Sequence, residues 1–227
     1  MRATLTLSLV LVVLLCGLSY AAWISEDIGT TDVGSTSQAG SNFTITSGGA
    51  DIWGSADGFR FVYQQVSGDF EITAQLLSLE NTDGWAKAGV MARGSNTPES
   101  WFAWSFVTVA NGTSFQWRLV DGERSWPDGS GQAGTVPYYL KTVREGNTFF
   151  GYRSQDGVAW EENNTVDQPN NVEIENIQDP ILVGLAHTSH SAGNIGQSEF
   201  AHVSLSGETA VSSKGKVALT WGALKAY

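Results

Sequence analysis

Trp85-Ala86-Lys87-Ala88-Gly89-Val90-Met91-Ala92-Arg93 carries the pattern that decides the fold. Side chains on a strand point alternately to its two faces. Ala86, Ala88, Val90 and Ala92 therefore form one small apolar face, which should point into a core. Trp85, Lys87, Gly89, Met91 and Arg93 form the other. The same period of two recurs along the chain in both directions, and helical periodicity is nearly absent. Strands are expected near 42–46, 59–65, 70–79, 85–93, 101–109, 114–120, 138–144, 148–154, 158–161, 181–189 and 198–206. Gly, Asn, Asp and Ser separate them, as turn residues should.

About eleven strands with short turns mean a sandwich or barrel, and the 26 glycines fit that number of turns. Two hairpins are legible locally. Gly146-Asn147 lies between the strands at 138–144 and 148–154, and Asp156-Gly157 follows as a two-residue turn. Residues 126–134 and 161–179 read as surface loops. The whole reads as an all-β, two-sheet antiparallel β-sandwich occupying residues 22–207. Residues 208–227, with Lys214, Lys216 and Lys225 beside Val217, Leu219 and Trp221, form a separate C-terminal tail.

The N-terminus sets the compartment. Arg2 precedes an apolar run from Leu5 to Leu15, and Ser19-Tyr20-Ala21 supplies small residues at a cleavage site. This is a secretory signal with cleavage expected after Ala21. The run is shorter than the roughly 20 residues that span a bilayer, and no other segment could span one. Removal leaves 206 of 227 residues, and the loss of Arg2 takes the net charge from −11 to −12. Cys16, the single cysteine, leaves with the signal, so the secreted chain has neither disulfides nor a thiol nucleophile. A surface this acidic repels phosphate backbones, which argues against nucleic acid and anionic membranes as partners. Three Asn-x-Thr triplets occur, at Asn42, Asn111 and Asn163, and matter in a host that glycosylates.

The motifs that would announce an enzyme do not assemble. Gly129-Ser130-Gly131-Gln132-Ala133-Gly134 matches a dinucleotide fingerprint but lies between Pro127 and Pro137, with a strand following rather than a helix. His187 and His190, three apart on a strand, face opposite ways and cannot share an ion, while His202 could meet either across neighbouring strands. Asp69 and Glu71 share strand parity, and Glu161-Glu162 sits at a loop entrance; both read as solvated charges rather than a glycosidase pair. No Gly-x-Ser-x-Gly elbow is present.

The second face of 85–93 is more informative. Trp85 stands there beside Lys87 and Arg93, and Ser114, Gln116 and Arg118 oppose Phe115, Trp117 and Leu119 on a later strand. The 101–106 segment is aromatic on both faces. Aromatic platforms beside long donors suit a sugar, whose apolar face stacks on a ring while its hydroxyls take hydrogen bonds. Trp85, Lys87, Arg93, Trp104, Gln116 and Arg118 are the candidate ligand-binding residues. The alternative is a covered sheet with basic stems lying over its indoles.

These residues resemble the concanavalin A-like (laminin G-like) jelly-roll modules common in secreted bacterial proteins. The resemblance runs from Trp23-Ile24-Ser25-Glu26-Asp27-Ile28-Gly29 through Asp51-Ile52-Trp53-Gly54 and Ser67-Gly68-Asp69-Phe70 to Val183-Gly184-Leu185-Ala186, with Trp85-x-Lys87-x-Gly89-x-Met91-x-Arg93 and Ser154-Gln155-Asp156-Gly157 the most specific parts. It implies a jelly roll whose concave sheet binds glycans, with calcium at a sheet edge in some relatives. Where the family reads Phe-Asp-Asn-Val, this chain has Phe200-Ala201-His202-Val203 and lacks the acid. The residues themselves ask for no cofactor or metal. The expected function is a secreted, non-catalytic module that binds carbohydrate or glycoconjugate. Its rivals are a structural or adhesive protein of an extracellular matrix or cell surface, and a glycoside hydrolase or lyase of the same fold.

Overall fold

A computed structural model describes residues 22–29, 31–127, 131–164 and 168–209. The expected leader and all but the first two residues of the expected tail lie outside them. The described elements are thirteen strands: β1 (Ile24–Ile28), β2 (Ser35–Ala39), β3 (Asn42–Ser47), β4 (Phe59–Leu79), β5 (Lys87–Arg93), β6 (Phe102–Thr108), β7 (Thr113–Arg118), β8 (Tyr138–Glu145), β9 (Thr148–Ser154), β10 (Glu161–Glu162), β11 (Asn171–Glu173), β12 (Ile181–Thr188) and β13 (Gly196–Thr209). Among the described residues no helix is long and apolar enough to cross a membrane.

The expected two-sheet antiparallel jelly roll is the observed fold, with one feature the alternation did not show. The segments at 59–65 and 70–79 are a single strand, β4, which belongs to both sheets. Its first half pairs with β1 and β12, and its second half with β8 and β13. Gly68, at φ +70, lies where it passes between them. The front sheet runs β1-β4-β12-β5-β6-β7 and the back sheet β2-β3-β13-β4-β8-β9, with β10 and β11 along the far side of β9. Between them sits the main core, to which Ala88, Val90 and Ala92 contribute as their parity requires, facing Ile72, Leu140 and Phe149.

The Gly146-Asn147 hairpin forms as expected, with Glu145 paired to Thr148. Asp156-Gly157 does not close a two-residue hairpin. β10 starts later, pairing Glu161 with Arg153. The Asp156 carboxylate instead accepts the N–H groups of Ala159 and Val158, each at 2.8 Å, which hold its pKa below the ordinary value. The glycine-rich motif also behaves as a connection: Gln132 bridges Thr113 on the open edge of β7, and the next element is β8. A second bridge, Trp117 to Trp126, covers that edge further along. Unpaired strand edges invite association, so such cover keeps β7 from recruiting another chain.

Candidate functional site

The outer face of the front sheet is built from alternate residues of β4, β12, β5, β6 and β7. Arg118, Phe102, Arg93 and Leu182 lie across it in one row. Gln116, Trp104, Met91 and Gly184 make the next, then Ser114, Phe106, Gly89 and Ala186. The candidate residues therefore do share one face. They are not, however, displayed to solvent. Arg93, Arg118 and Trp104 are 0% exposed, and Lys87 and Gln116 are each 3% exposed. Only Trp85, just ahead of β5, is half-buried. The expectation of an open platform is corrected: loops roof this face and form a second apolar layer on it. Ile52 supplies the roof's side chain to a cluster with Phe61, Tyr63, Met91, Trp104 and Phe106.

Asp57 fastens the roof. Its carboxylate accepts Arg93 Nη1 at 2.6 Å, Arg118 Nη2 at 2.6 Å and Arg118 Nη1 at 2.9 Å, and all three side chains are fully buried. Each guanidinium spends its other protons on loop carbonyls. Arg93 reaches Ser95, Thr97 and Pro98; Arg118 reaches Gly54 and Ser100. Phe59 and Phe102 lie beneath the two guanidinium planes, at 5.2 and 5.0 Å. Burial pushes the Arg93 pKa down, opposed by Asp57. Arg93 and Arg118 are thus structural anchors rather than free donors, because a buried guanidinium requires a carboxylate and carbonyls around it.

The roof's other end is ionic too. Lys87 Nζ donates to Asp51 Oδ1 at 2.5 Å and lies over the Trp85 and Phe106 rings. His190 Nε2 is 3.2 Å from the second Asp51 oxygen, and Nδ1 is 3.1 Å from Asp83 Oδ1, out of hydrogen-bond alignment. The Asp51 bond raises the His190 pKa, against the effect of burial. Burial pushes Asp51 up, but His190 and Lys87 outweigh it and hold it below its ordinary value. Among the described residues no three His, Cys, Asp or Glu side chains are grouped to hold a metal. Lys87 and His190 instead take up the two Asp51 oxygens.

Between these two fastenings, at the β6–β7 side, the face holds three polar atoms with no partner among the described residues: Trp104 Nε1, Ser114 Oγ and Gln116 Oε1. Gln116 and Trp104 are directly paired across the strands, and Ser114 pairs with Phe106, whose ring stacks on Trp104 at 4.4 Å. The Gln116 amide group donates to Pro127 O at 3.2 Å, which leaves its carbonyl oxygen over. Next to Pro127, Trp126 is 46% exposed, and Arg124 lies 4.8 Å over its ring and 5.8 Å from the ring of Trp53. Sequence reasoning missed Trp53, Arg124 and Trp126, which lie outside any strand. Their only signal is the density of indoles in turn-rich segments.

The remaining candidates separate. His187 is fully buried; its Nδ1 donates to Ile45 O at 3.3 Å and lies 3.1 Å from Ser198 Oγ. Burial pushes its pKa down to about 4. His202 stacks on Tyr139 rather than meeting either other histidine. Glu71 pairs with Lys141 at 3.2 Å, Glu161 with Arg153 at 3.3 Å, and Asp69 accepts the Gly146 N–H.

No protein-family model matches the chain, and no curated protein matches it. Among solved structures, a Saccharomyces cerevisiae protein described as functionally unknown superposes with a TM-score of 0.61 at 15% identity, over 77% of this chain and 92% of that one. At that identity the likeness shows the fold alone. The exoplasmic/lumenal domain of VIP36, in a form with Ca2+ and Man3GlcNAc bound, gives 0.49 at 8% identity, over 85% of this chain and 87% of that one. The GH43 protein BlXynB of Bacillus licheniformis gives 0.45 at 12%, over 66% of this chain and 33% of that one. Overlaps this loose carry no argument about what the chain does.

Proposed function

We propose that the protein is a secreted, non-catalytic carbohydrate-binding module of concanavalin A-like type, with its ligand site on the β6–β7 side of the roofed face. The observation that carries the reading is that Trp104 Nε1, Ser114 Oγ and Gln116 Oε1, from neighbouring positions of one sheet face, are buried with no partner among the described residues, close in sequence pairing to the exposed Trp126. A buried polar atom left without a partner costs about 1–3 kcal/mol, so three together ask for something that both donates and accepts. Sugar hydroxyls do both from one small group. Trp126 and Trp53 offer the apolar faces on which a pyranose ring stacks. Trp104 and Gln116 thus stay in the proposed site, and Trp85 and Lys87 mark the far end of the same face.

The test is binding of the chain from Ala22 onward to a broad panel of glycans and polysaccharides, with calcium and with chelator. One or more should bind equally in both conditions. Trp126→Ala should weaken that binding by about 1 kcal/mol, roughly fivefold in Kd, and Gln116→Ala by a similar amount. Full affinity in both variants would remove the site from this face. Silence across the panel would favour a structural or adhesive role.

A further inference from the structure

The sequence presents three Asn-x-Thr triplets as equals, and the fold separates them. Asn163 is fully buried; its amide donates to Ser114 O at 2.8 Å and its backbone N–H to Gly151 O at 3.0 Å. The Asn111 amide donates to Gly84 O at 3.0 Å, and the hydroxyl of its triplet, on the fully buried Thr113, accepts from Arg153 at 3.0 Å. Asn42 differs from both. It opens β3 directly after the two-residue turn Gly40-Ser41, with Ala39 as its cross-strand partner and Gly40 at φ +63. Its side chain is exposed, as are those of Ala39 and Ser41. Phe43 turns into the core, which leaves Asn42 and Thr44 together on the outer face.

We propose that Asn42 is the N-glycosylation site of this protein, and the only one of the three that its folded form carries modified. The inference rests on the reading that the chain enters a secretory pathway. The donor is an oligosaccharide held on a lipid diphosphate. The Asn42 carboxamide nitrogen attacks the anomeric carbon, so a C–N bond forms as the anomeric C–O bond breaks. The amide gives up one proton and the lipid diphosphate leaves; nothing is oxidised or reduced. A glycan on Asn111 or Asn163 would have to occupy space where the amide is bonded to a main-chain carbonyl. A chain modified there does not reach this fold. At Asn42 the glycan projects from the hairpin tip beside β2, which among the described residues pairs with β3 alone. It would shield the outer edge of the back sheet, the place where strand addition by another chain would begin.

The experiment is expression of the full chain in a eukaryotic secretory host, with a parallel arm in which a proven leader replaces residues 1–21. Secreted protein is weighed before and after peptide N-glycosidase, and its glycopeptides are mapped. The expected result is one glycan, at Asn42, lost in both Asn42→Gln and Thr44→Ala. Secreted protein that is bare at Asn42, or that carries a glycan on Asn111 or Asn163, would overturn the assignment. Retention of the native-leader chain, with an Asn42 glycan in the parallel arm, would overturn the secretory reading and leave the site assignment supported.

Discussion

Replacing Asp57 with Asn should be among the most damaging single-atom-scale changes this protein can suffer. The substitution keeps shape and removes one negative charge from between two guanidiniums, all three side chains being 0% exposed. It weakens three bonds of 2.6, 2.6 and 2.9 Å and leaves Arg93 and Arg118 facing each other across a neutral amide instead of a carboxylate. Breaking a buried pair by removing one partner costs about 3–5 kcal/mol. A domain of this size loses roughly 2–4 °C per kcal/mol, so the melting temperature should fall by roughly 6–20 °C. Thermal melts at neutral pH, followed by near-ultraviolet circular dichroism, measure the fall, and urea unfolding measures the loss of free energy. The companion triple variant, Asp57→Leu with Arg93→Met and Arg118→Met, removes every charge at once and should recover most of the loss, because an apolar replacement of a buried ionic cluster is often neutral or better. A loss below about 1 kcal/mol in Asp57→Asn, the range of an exposed pair, would refute the claim that this triad fastens the roof.

Two further outcomes follow from the same packing. His187, with a folded pKa of about 4 against an unfolded value near 6.5, favours the folded state only while neutral. Its contribution of about 3 kcal/mol is complete above pH 6.5 and is lost as the pH falls toward 4. The urea midpoint of the native chain should drop more over that window than that of His187→Gln, and parallel curves would contradict the assignment. Gly89→Ala would place a methyl 2.0 Å from Ser105 O and 2.6 Å from Phe106 Cα, backbone that cannot yield cheaply. Its cost should reach or pass the upper end of the roughly 1–3 kcal/mol typical of overpacking, and a thermal melt within about a degree of the native protein would contradict the close approach of β6.

Much of the sandwich was legible because its strands alternate cleanly. Ala88, Val90 and Ala92 reach the core that their parity implies, as do Phe115 and Trp117. The edges were less legible. β1 and β2 are short and polar, and strands that bury little carry little period-two signal. The union of 59–65 with 70–79 was hidden by Gly68 and Asp69, which read as a turn but are carried within a strand. The roof could not be read at all. It is irregular chain, so it has no periodicity, and its fastening joins Asp57 to partners 36 and 61 residues away. For that reason Arg93 and Arg118 read as donors for a ligand when they are donors for a loop. Trp104 and Gln116 do share one face, as their strand parity implies, but the depth of their burial was not legible.

Whether the indole N–H of Trp104, which has no partner among the described residues, belongs to a ligand site is read from heteronuclear NMR of the indole N–H groups. The chain has nine tryptophans, and Trp104→Phe assigns the resonance in question. On titration with the tightest glycan of the panel, the Trp104 N–H signal should move downfield, saturate with the Kd of overall binding and become protected from solvent exchange. A saturating glycan that shifts other indoles while leaving the Trp104 signal where it began would contradict it.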